Sequence, residues 1–351
     1  MKIVTRTVRR LNVMVTLTIS GLSPPIISTM RITSLSGRKV VKTSLVEPAA
    51  SHCFPDTLNS INSTGAVNFK ITHKNATLFG LEALEHKWCY NVSEKDAVMG
   101  YMERWSAMDD KIKELKKIID ESNNIVFFGG AGVSTESGIP DFRSANGIYN
   151  MNLGRTVSPE EMISHSFYMR HTEDFYEFYK DKLIYENAQP NNCHKALAEL
   201  ERQGKVKAVV TQNIDGLHQK AGSKVVWELH GSTLRNYCER CHAFYGVEKV
   251  LESKGVPYCD KCGGRIKPDV VLYEEGLDGD VIDGAVRAIS NADTLIVGGT
   301  TLIVYPAAGL IHYFHGKKLV LINMSATSAD NSADLVIHER IGEVFAQVMG
   351  W

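Results

Sequence analysis

Apolar and polar positions alternate in blocks along residues 108–351, and the blocks have two distinct periods. Over 109–121 the apolar positions Ile112, Leu115, Ile118 and Ile119 fall on one side of a helix. Residues 125–128 then form a continuous apolar run, the mark of a strand covered on both faces. The same alternation continues to the end of the chain. Segments 206–211, 225–229, 294–297, 319–323 and 335–337 read as buried strands, and 192–203, 281–290, 307–315 and 341–349 as helices between them. This succession predicts an α/β architecture built on a doubly wound parallel sheet. Ligands of such sheets lie beyond the carboxyl ends of the strands. Gly130, Asn213, His230, Gly299 and Asn323 each follow or close a predicted strand, so the pattern directs all five to one edge.

Residues 1–107 behave differently. Short apolar runs at 13–19 and 66–71 are separated by Ser, Thr, Asn and Pro without sustained periodicity, and no fold is predicted there. Residues 1–43 contain eight Lys and Arg, no acidic residue and many Ser and Thr, as transit and weak signal peptides do. Asn62, Asn75 and Asn91 each head an N-x-S/T triplet. A targeting leader, an unstructured extension and translation from an upstream start all fit, with Met108 as the natural initiator in the last case. That last reading is preferred, because a good helix begins directly after Met108.

Charge narrows the function. The net charge of −1 argues against a general nucleic-acid binder. It divides unevenly, with 13 basic against 7 acidic residues in 1–107 and 26 against 33 in the remainder. The most apolar stretch, 11–30, is broken by Gly21, Pro24 and Pro25, so no membrane span is expected. Three cysteines (Cys53, Cys89, Cys193) are scattered and suggest no disulfide framework, which fits a reducing, cytoplasmic setting. The other four stand as Cys238-x2-Cys241 and Cys259-x2-Cys262, 17 residues apart. Two such knuckles supply the four thiolates of a tetrahedral zinc, and a site closed by four protein ligands is structural.

The strand over 125–128 runs into Gly130-Ala131-Gly132, a turn that lets a backbone approach a pyrophosphate. The third glycine of the dinucleotide fingerprint is Thr135, so by itself this turn is equally well a tight bend. The run Ser134 to Arg143 then brings small hydroxyls, a glycine–proline bend, a carboxylate, an aromatic and a guanidinium in succession, the composition of a binding loop. Gln212, Asn213 and Asp215 crowd the end of an apolar strand, where such groups meet a ligand or cap a helix. His230 beside Gly231 closes the next strand and is a candidate general base.

The strings G-A-G-V-S-T-E-S-G-I-P-D-F-R from Gly130, T-Q-N-I-D-G-L-H from Thr211, L-H-G from Leu229 and the paired C-x2-C resemble the sirtuin family of NAD-dependent protein deacylases, in order and spacing. Lys267-Pro268-Asp269-Val270-Val271 and Gly299-Thr300-Thr301-Leu302-x-Val304 extend the likeness, which covers residues 109–351 and is greatest to the compact bacterial members. The resemblance implies a Rossmann-like catalytic domain over 108–351, with a small second domain that contains a zinc module at about 235–270. It implies that Ala131, Thr135, Phe142 and Arg143 line an NAD pocket and that Gln212, Asn213, Ile214 and Asp215 hold the ribose and nicotinamide amide. Thr300, Thr301, Asn323 and Ile337 would contact the adenosine half, and His230 would be the catalytic base. In the reaction so implied, an acyl-lysine oxygen attacks the anomeric carbon, nicotinamide leaves, and lysine and O-acyl-ADP-ribose follow. An acyl-lysine protein or peptide would lie as an added strand along 273–276 and 304–305.

Two departures carry expectations. The family's usual Phe-Gly-Glu reads Tyr273-Glu274-Glu275, which puts a carboxylate beside the peptide and suggests a mild preference for basic flanking residues. Thr301 stands where serine is common. Tyr179 and Lys182 align with the Tyr and Arg of members that remove acidic acyl groups; lysine lacks the bidentate fork of arginine, so plain deacetylation is expected. Mono-ADP-ribosyl transfer from the same pocket is the alternative activity, and a silent NAD-binding scaffold is disfavoured by the full set His230, Asn213 and Asp215. A conventional dehydrogenase is disfavoured by the missing third glycine.

Overall fold

The computed structural model describes residues 10–19, 26–35, 42–45, 94–144, 147–150 and 157–351, with side chains from Ala107 onward. The run at 66–71, the triplets at Asn62, Asn75 and Asn91, and Cys53 and Cys89 lie outside the described residues. The chain divides into two compact units, Met1–Ala107 and Met108–Trp351. In the first, β1 (Arg10–Ile19), β2 (Ile26–Leu35) and β3 (Lys42–Leu45) form an antiparallel sheet in the order β1-β2-β3. Helix α1 (Glu94–Glu121) begins earlier than the periodicity predicts. Residues 94–108 contain one glycine and no proline, so nothing in them stops a helix from extending backwards.

The second unit is organised by six parallel strands, β4 (Ile125–Gly129), β5 (Val206–Thr211), β6 (Val226–Glu228), β10 (Thr294–Gly298), β11 (Lys318–Ile322) and β12 (Leu335–Ile337). Their order is β12-β11-β10-β4-β5-β6. From β4 the chain steps outward to β5 and β6, returns to β10 beside β4, and steps outward again. Strand order therefore reverses between β4 and β10, which pair in register from Ile125–Thr294 to Gly129–Gly298.

The alternating side chains of β4 feed two cores. Ile125 and Phe127 pack with Leu115, Ile118, Leu197, Val344 and Phe345, contributed by α1 and by the helices at Asn192–Arg202 and Ile341–Met349. Val126 and Phe128 pack with Ala285, Ile289 and Leu310 on the opposite face. Full burial of each such side chain stabilises the fold by roughly 1.5–3 kcal/mol, so the sheet is held from both sides. The segment predicted as helix over 307–315 is a 3-10 turn series, Ala307–Tyr313. Gly309 at its centre weakens an α-helix there, while Ala307, Ala308 and Leu310 still reach the core.

A smaller lobe follows β4 and also includes the segment between β6 and β10. It has an aromatic core of Phe167, Tyr168, Phe175, Tyr176 and Tyr179 with Val270 and Leu272. Beside it lies an antiparallel sheet β8-β7-β9, made of β7 (Gly231–Cys238), β8 (Phe244–Tyr245) and β9 (Ile266–Val270). The buried Tyr176 hydroxyl donates to the Ile266 carbonyl and ties this sheet to the aromatic core. Among the described residues no helix is long and apolar enough to cross a membrane.

Candidate active site

The glycine turn sits where strand order reverses. Gly130 N–H donates to the Gly298 carbonyl at 3.1 Å, and Gly132 N–H to that of Gly299 at 2.8 Å. A Cβ on Gly132 would stand 2.8 Å from Gly299 Cα, and one on Gly130 2.7 Å from Thr300 Cβ. Glycine is thus required by the closure of one strand end against another. The Gly130 and Gly132 amides are thereby spent on closing the two strand ends together, and the Val133 N–H turns back to the Gly130 carbonyl at 3.0 Å. Ala131 is half-buried, and exposed Thr135 donates its hydroxyl to the Gly132 carbonyl at 2.9 Å.

Gln212 joins three parts of this edge. Its N–H donates to the Gly129 carbonyl at 2.9 Å, and its side-chain amide donates to Thr300 Oγ1 at 3.1 Å. Its carbonyl accepts the Nδ1–H of His230 at 2.9 Å. That contact fixes the neutral tautomer and leaves Nε2 with its lone pair. Burial pushes the His230 imidazole below its ordinary value, and the carbonyl contact partly opposes the shift. A neutral base is therefore present at pH 7.

Ser134 links the remaining polar groups. Asn213 Nδ2 donates to Ser134 Oγ at 3.0 Å, and Ser134 Oγ donates to Asp215 Oδ2 at 2.6 Å. Asp215 Oδ1 accepts the Leu217 N–H at 2.9 Å, so the two carboxylate oxygens have different partners. Burial raises the Asp215 carboxyl above its ordinary range, against the pull of these two donors. Asn191 steadies the same loop from the start of its helix, donating to the Val133 carbonyl at 2.7 Å and to Ser137 Oγ at 3.0 Å. Glu136 accepts the Gly342 N–H at 2.6 Å. Ser134, Asn191 and Glu136 were not singled out from sequence; only the hydroxyl-rich composition after the glycine turn points to the first.

The other predicted residues fall around this centre. Phe142 and Ile214 pack on the aromatic core of the smaller lobe, and Arg143 is exposed beside them. Thr300 is buried and Thr301 exposed. Asn323 N–H donates to the Ile337 carbonyl at 3.0 Å, and its side chain donates to the Ser325 carbonyl at 2.7 Å. Ile337 has its side chain wholly in the sheet core and meets Asn323 only through backbone.

The two departures find definite places. Glu274 adopts φ +77°, the left-handed region that glycine occupies without strain. Its exposed carboxylate accepts the Ser166 N–H at 2.8 Å, a contact that holds it below its ordinary range and keeps it ionised. Tyr179 is fully buried among aromatic rings, while Lys182 pairs with Asp181 at 2.9 Å. Together they do not form a carboxylate grip.

The four cysteine sulfurs lie within 4.8 Å of one another, with Cys238–Cys262 at 3.4 Å and Cys241–Cys259 at 3.5 Å. Sulfurs about 2.3 Å from a shared zinc stand about 3.8 Å apart, so the set fits that ion. The Tyr245 hydroxyl donates to Cys259 Sγ at 3.1 Å and the Arg240 N–H to Cys238 Sγ at 3.4 Å, donors suited to thiolates. Four protein sulfurs complete the tetrahedron and leave no position for water.

Residues 130–306 match the model of the Sir2 family. A protein of Clostridium perfringens named NAD-dependent protein deacetylase is 68% identical over 243 residues, which are 69% of this chain and 100% of that protein. A protein of the same name from Clostridium acetobutylicum is 63% identical over 241 residues, 68% of this chain and 98% of its own length. Among solved structures, a Sir2–p53 peptide–NAD+ complex is 42% identical with a TM-score of 0.60, covering 68% of this chain and 97% of that one. Sir2 bound to acetylated peptide is 39% identical with a TM-score of 0.59, over the same shares of both chains. With the glycine turn, the Gln212–His230 contact and the four-cysteine cluster in one unit, the chain belongs to the Sir2 family.

Proposed function

We propose that this chain is an NAD-dependent protein-lysine deacetylase that transfers the acyl group to ADP-ribose and releases nicotinamide. The observation that carries this reading is the anchoring of His230 by Gln212 at the same sheet edge as Ser134, Asn213 and Asp215. The names of the clostridial relatives and the peptide and NAD complexes of the neighbours support it. NAD, when bound, supplies an electrophilic anomeric carbon with nicotinamide as leaving group. Ala131, Thr135, Phe142, Arg143, Gln212, Asn213, Ile214, Asp215, Thr300, Thr301 and Asn323 would hold it, with Ile337 acting through its carbonyl. His230 Nε2 takes a proton from a ribose hydroxyl, and the Nδ1–H to Gln212 contact keeps the ring from turning as it does so. The acyl-lysine chain would add as a strand beside 273–276 and 304–305.

The catalytic unit proposed is 108–351, supported by relatives matched nearly end to end over 241–243 residues. A cytoplasmic setting belongs to the same reading, supported by four free thiols in metal spacing. Purified protein incubated with acetyl-lysine peptide and NAD is expected to form free lysine and O-acetyl-ADP-ribose. His230→Ala should retain NAD binding and lose turnover by about 10²–10⁴-fold. In the wild type, turnover should fall as pH drops through a value below 6.5, where a free imidazole titrates. Label passing from NAD to a protein acceptor without deacylation would replace this reading with ADP-ribosyl transfer.

A further inference from the structure

The loop that follows the glycine turn carries Phe142 and Arg143, and two tyrosines from different segments meet there. The Arg143 guanidinium lies over the Tyr149 ring, 5.2 Å from its centroid, and donates to the Tyr273 hydroxyl at 3.2 Å. The hydroxyls of Tyr149 and Tyr273 stand 2.9 Å apart. Phe142 packs on the same Tyr149 ring, with centroids 5.4 Å apart and planes inclined by 54°.

Backbone contacts make this cluster a joint between two anchored segments. Tyr149 N–H donates to the Phe142 carbonyl at 2.9 Å, and Ile148 N–H to that of Asp141 at 2.8 Å, so Tyr149 moves with the loop. Tyr273 is held elsewhere, exchanging bonds with the smaller lobe: its N–H donates to the Ile163 carbonyl at 3.1 Å and its carbonyl accepts the His165 N–H at 2.9 Å. Burial, and after it the hydrogen bond to Tyr273, keeps the Tyr149 hydroxyl protonated throughout the working pH range. Arg143 is exposed and long, so it loses much rotamer freedom when held. Two side chains hold it before any ligand arrives. The ring of Tyr273 would be supplied as well by the family's usual phenylalanine; its hydroxyl is what reaches the loop.

We infer that the Tyr149–Tyr273 hydroxyl pair is a positioning device that sets Arg143 and Phe142 for the cofactor and couples that setting to the peptide-binding segment 273–276. The inference rests on the function proposed above, since it takes Arg143 as part of the cofactor pocket and 273–276 as part of the peptide cleft. Tyr273 acts through Arg143 and touches no reacting atom. Its loss should therefore weaken the binding of NAD while leaving chemistry at saturation intact. By linkage, any effect of bound acetyl-lysine peptide on NAD affinity should shrink with it.

The experiment is calorimetric titration of NAD into the full chain, with and without acetyl-lysine peptide, alongside steady-state kinetics. Tyr273→Phe is expected to raise Kd and KM for NAD about three- to tenfold, the effect of losing one ordinary hydrogen bond. kcat should stay within about twofold, and the melting temperature should be unchanged. Tyr149→Phe should do the same, and the double variant should be no worse than either single one, because the hydroxyls act as one unit. Unchanged NAD affinity in Tyr273→Phe would overturn the inference. So would additive effects in the double variant, or a parallel fall in kcat and melting temperature that marks a merely structural role. A wild type that binds NAD but never deacetylates would fail the proposed function instead, and the binding titrations would still judge the hydroxyl pair.

Discussion

Ser134 carries one hydroxyl, and that hydroxyl satisfies two neighbours at once. It accepts from Asn213 and donates to Asp215, both largely enclosed. Ser134→Ala leaves a buried amide and a buried carboxylate each short of a partner, a loss of about 1–3 kcal/mol. Activity in the deacetylation assay is expected to drop by about tenfold to a hundredfold while the far-UV circular dichroism stays native; full activity would remove Ser134 from the site. Gln212, Asn213, Asp215 and His230 were legible in sequence because polar groups at the end of an apolar strand have no packing reason to be there. Asn191 and Glu136 were not, since their roles depend on Val133 and Gly342, partners 58 and 206 residues away. Ile337 shows the opposite case: a residue named by likeness whose side chain belongs to the core.

Among the elements, β7 is the least expected and has the most to position. It starts at Gly231, directly after His230, the base of the proposed reaction, and ends at the thiol Cys238. No strand was predicted there, because its buried positions include polar Ser232, Thr233 and Asn236 while apolar Leu234 and Tyr237 face outward, and the knuckles keep β8 and β9 short. The central strands were legible for the contrary reason: burial on both faces writes an unbroken apolar run. Cys259→Ser is expected to abolish stoichiometric zinc, measured by metal analysis. At a loss of about 3 kcal/mol, the melting midpoint of a unit this size falls by about 6–12 °C. A variant equally stable without zinc would contradict the structural role. Arg235 braces the same strand, donating to Glu228 at 2.6 Å and to Asp269 at 2.7 Å.

For the molecule as a whole, two buried imidazoles set the response to acid. His194 and His218 face each other with ring centroids 4.7 Å apart and are both enclosed. His218 also lies 6.0 Å from the Phe127 ring, and His194 Nδ1 accepts the Asn191 N–H at 3.3 Å. Burial holds His194 at about 4, and burial followed by the charge of His194 holds His218 well below the usual range. The unfolded chain takes up these protons near pH 6.5, whereas the folded chain takes up that of His194 only near 4 and that of His218 well below its ordinary value, so stability present at neutral pH is lost as the pH falls. For His194 alone the loss is on the order of 3 kcal/mol. The raised carboxyls of Glu136 and Asp215 pull the other way, so the test is a difference. Urea midpoints of wild type and His194→Gln should diverge between pH 7.5 and 5, with the variant falling less; parallel curves would exclude the imidazole. At this scale the parallel sheet and the gathering of polar residues at one of its edges were legible, whereas the pairing of His194 with His218 was not, because no local pattern records which buried side chains meet. The backbone contact of Gly132 with Gly299 has a last consequence. The two faces of the proposed cofactor cradle are written 167 residues apart and meet without a side chain between them. A single nick between them that let the pieces part would leave two half-cradles, so retention on an immobilised nucleotide resin would report chain integrity before it reported catalysis.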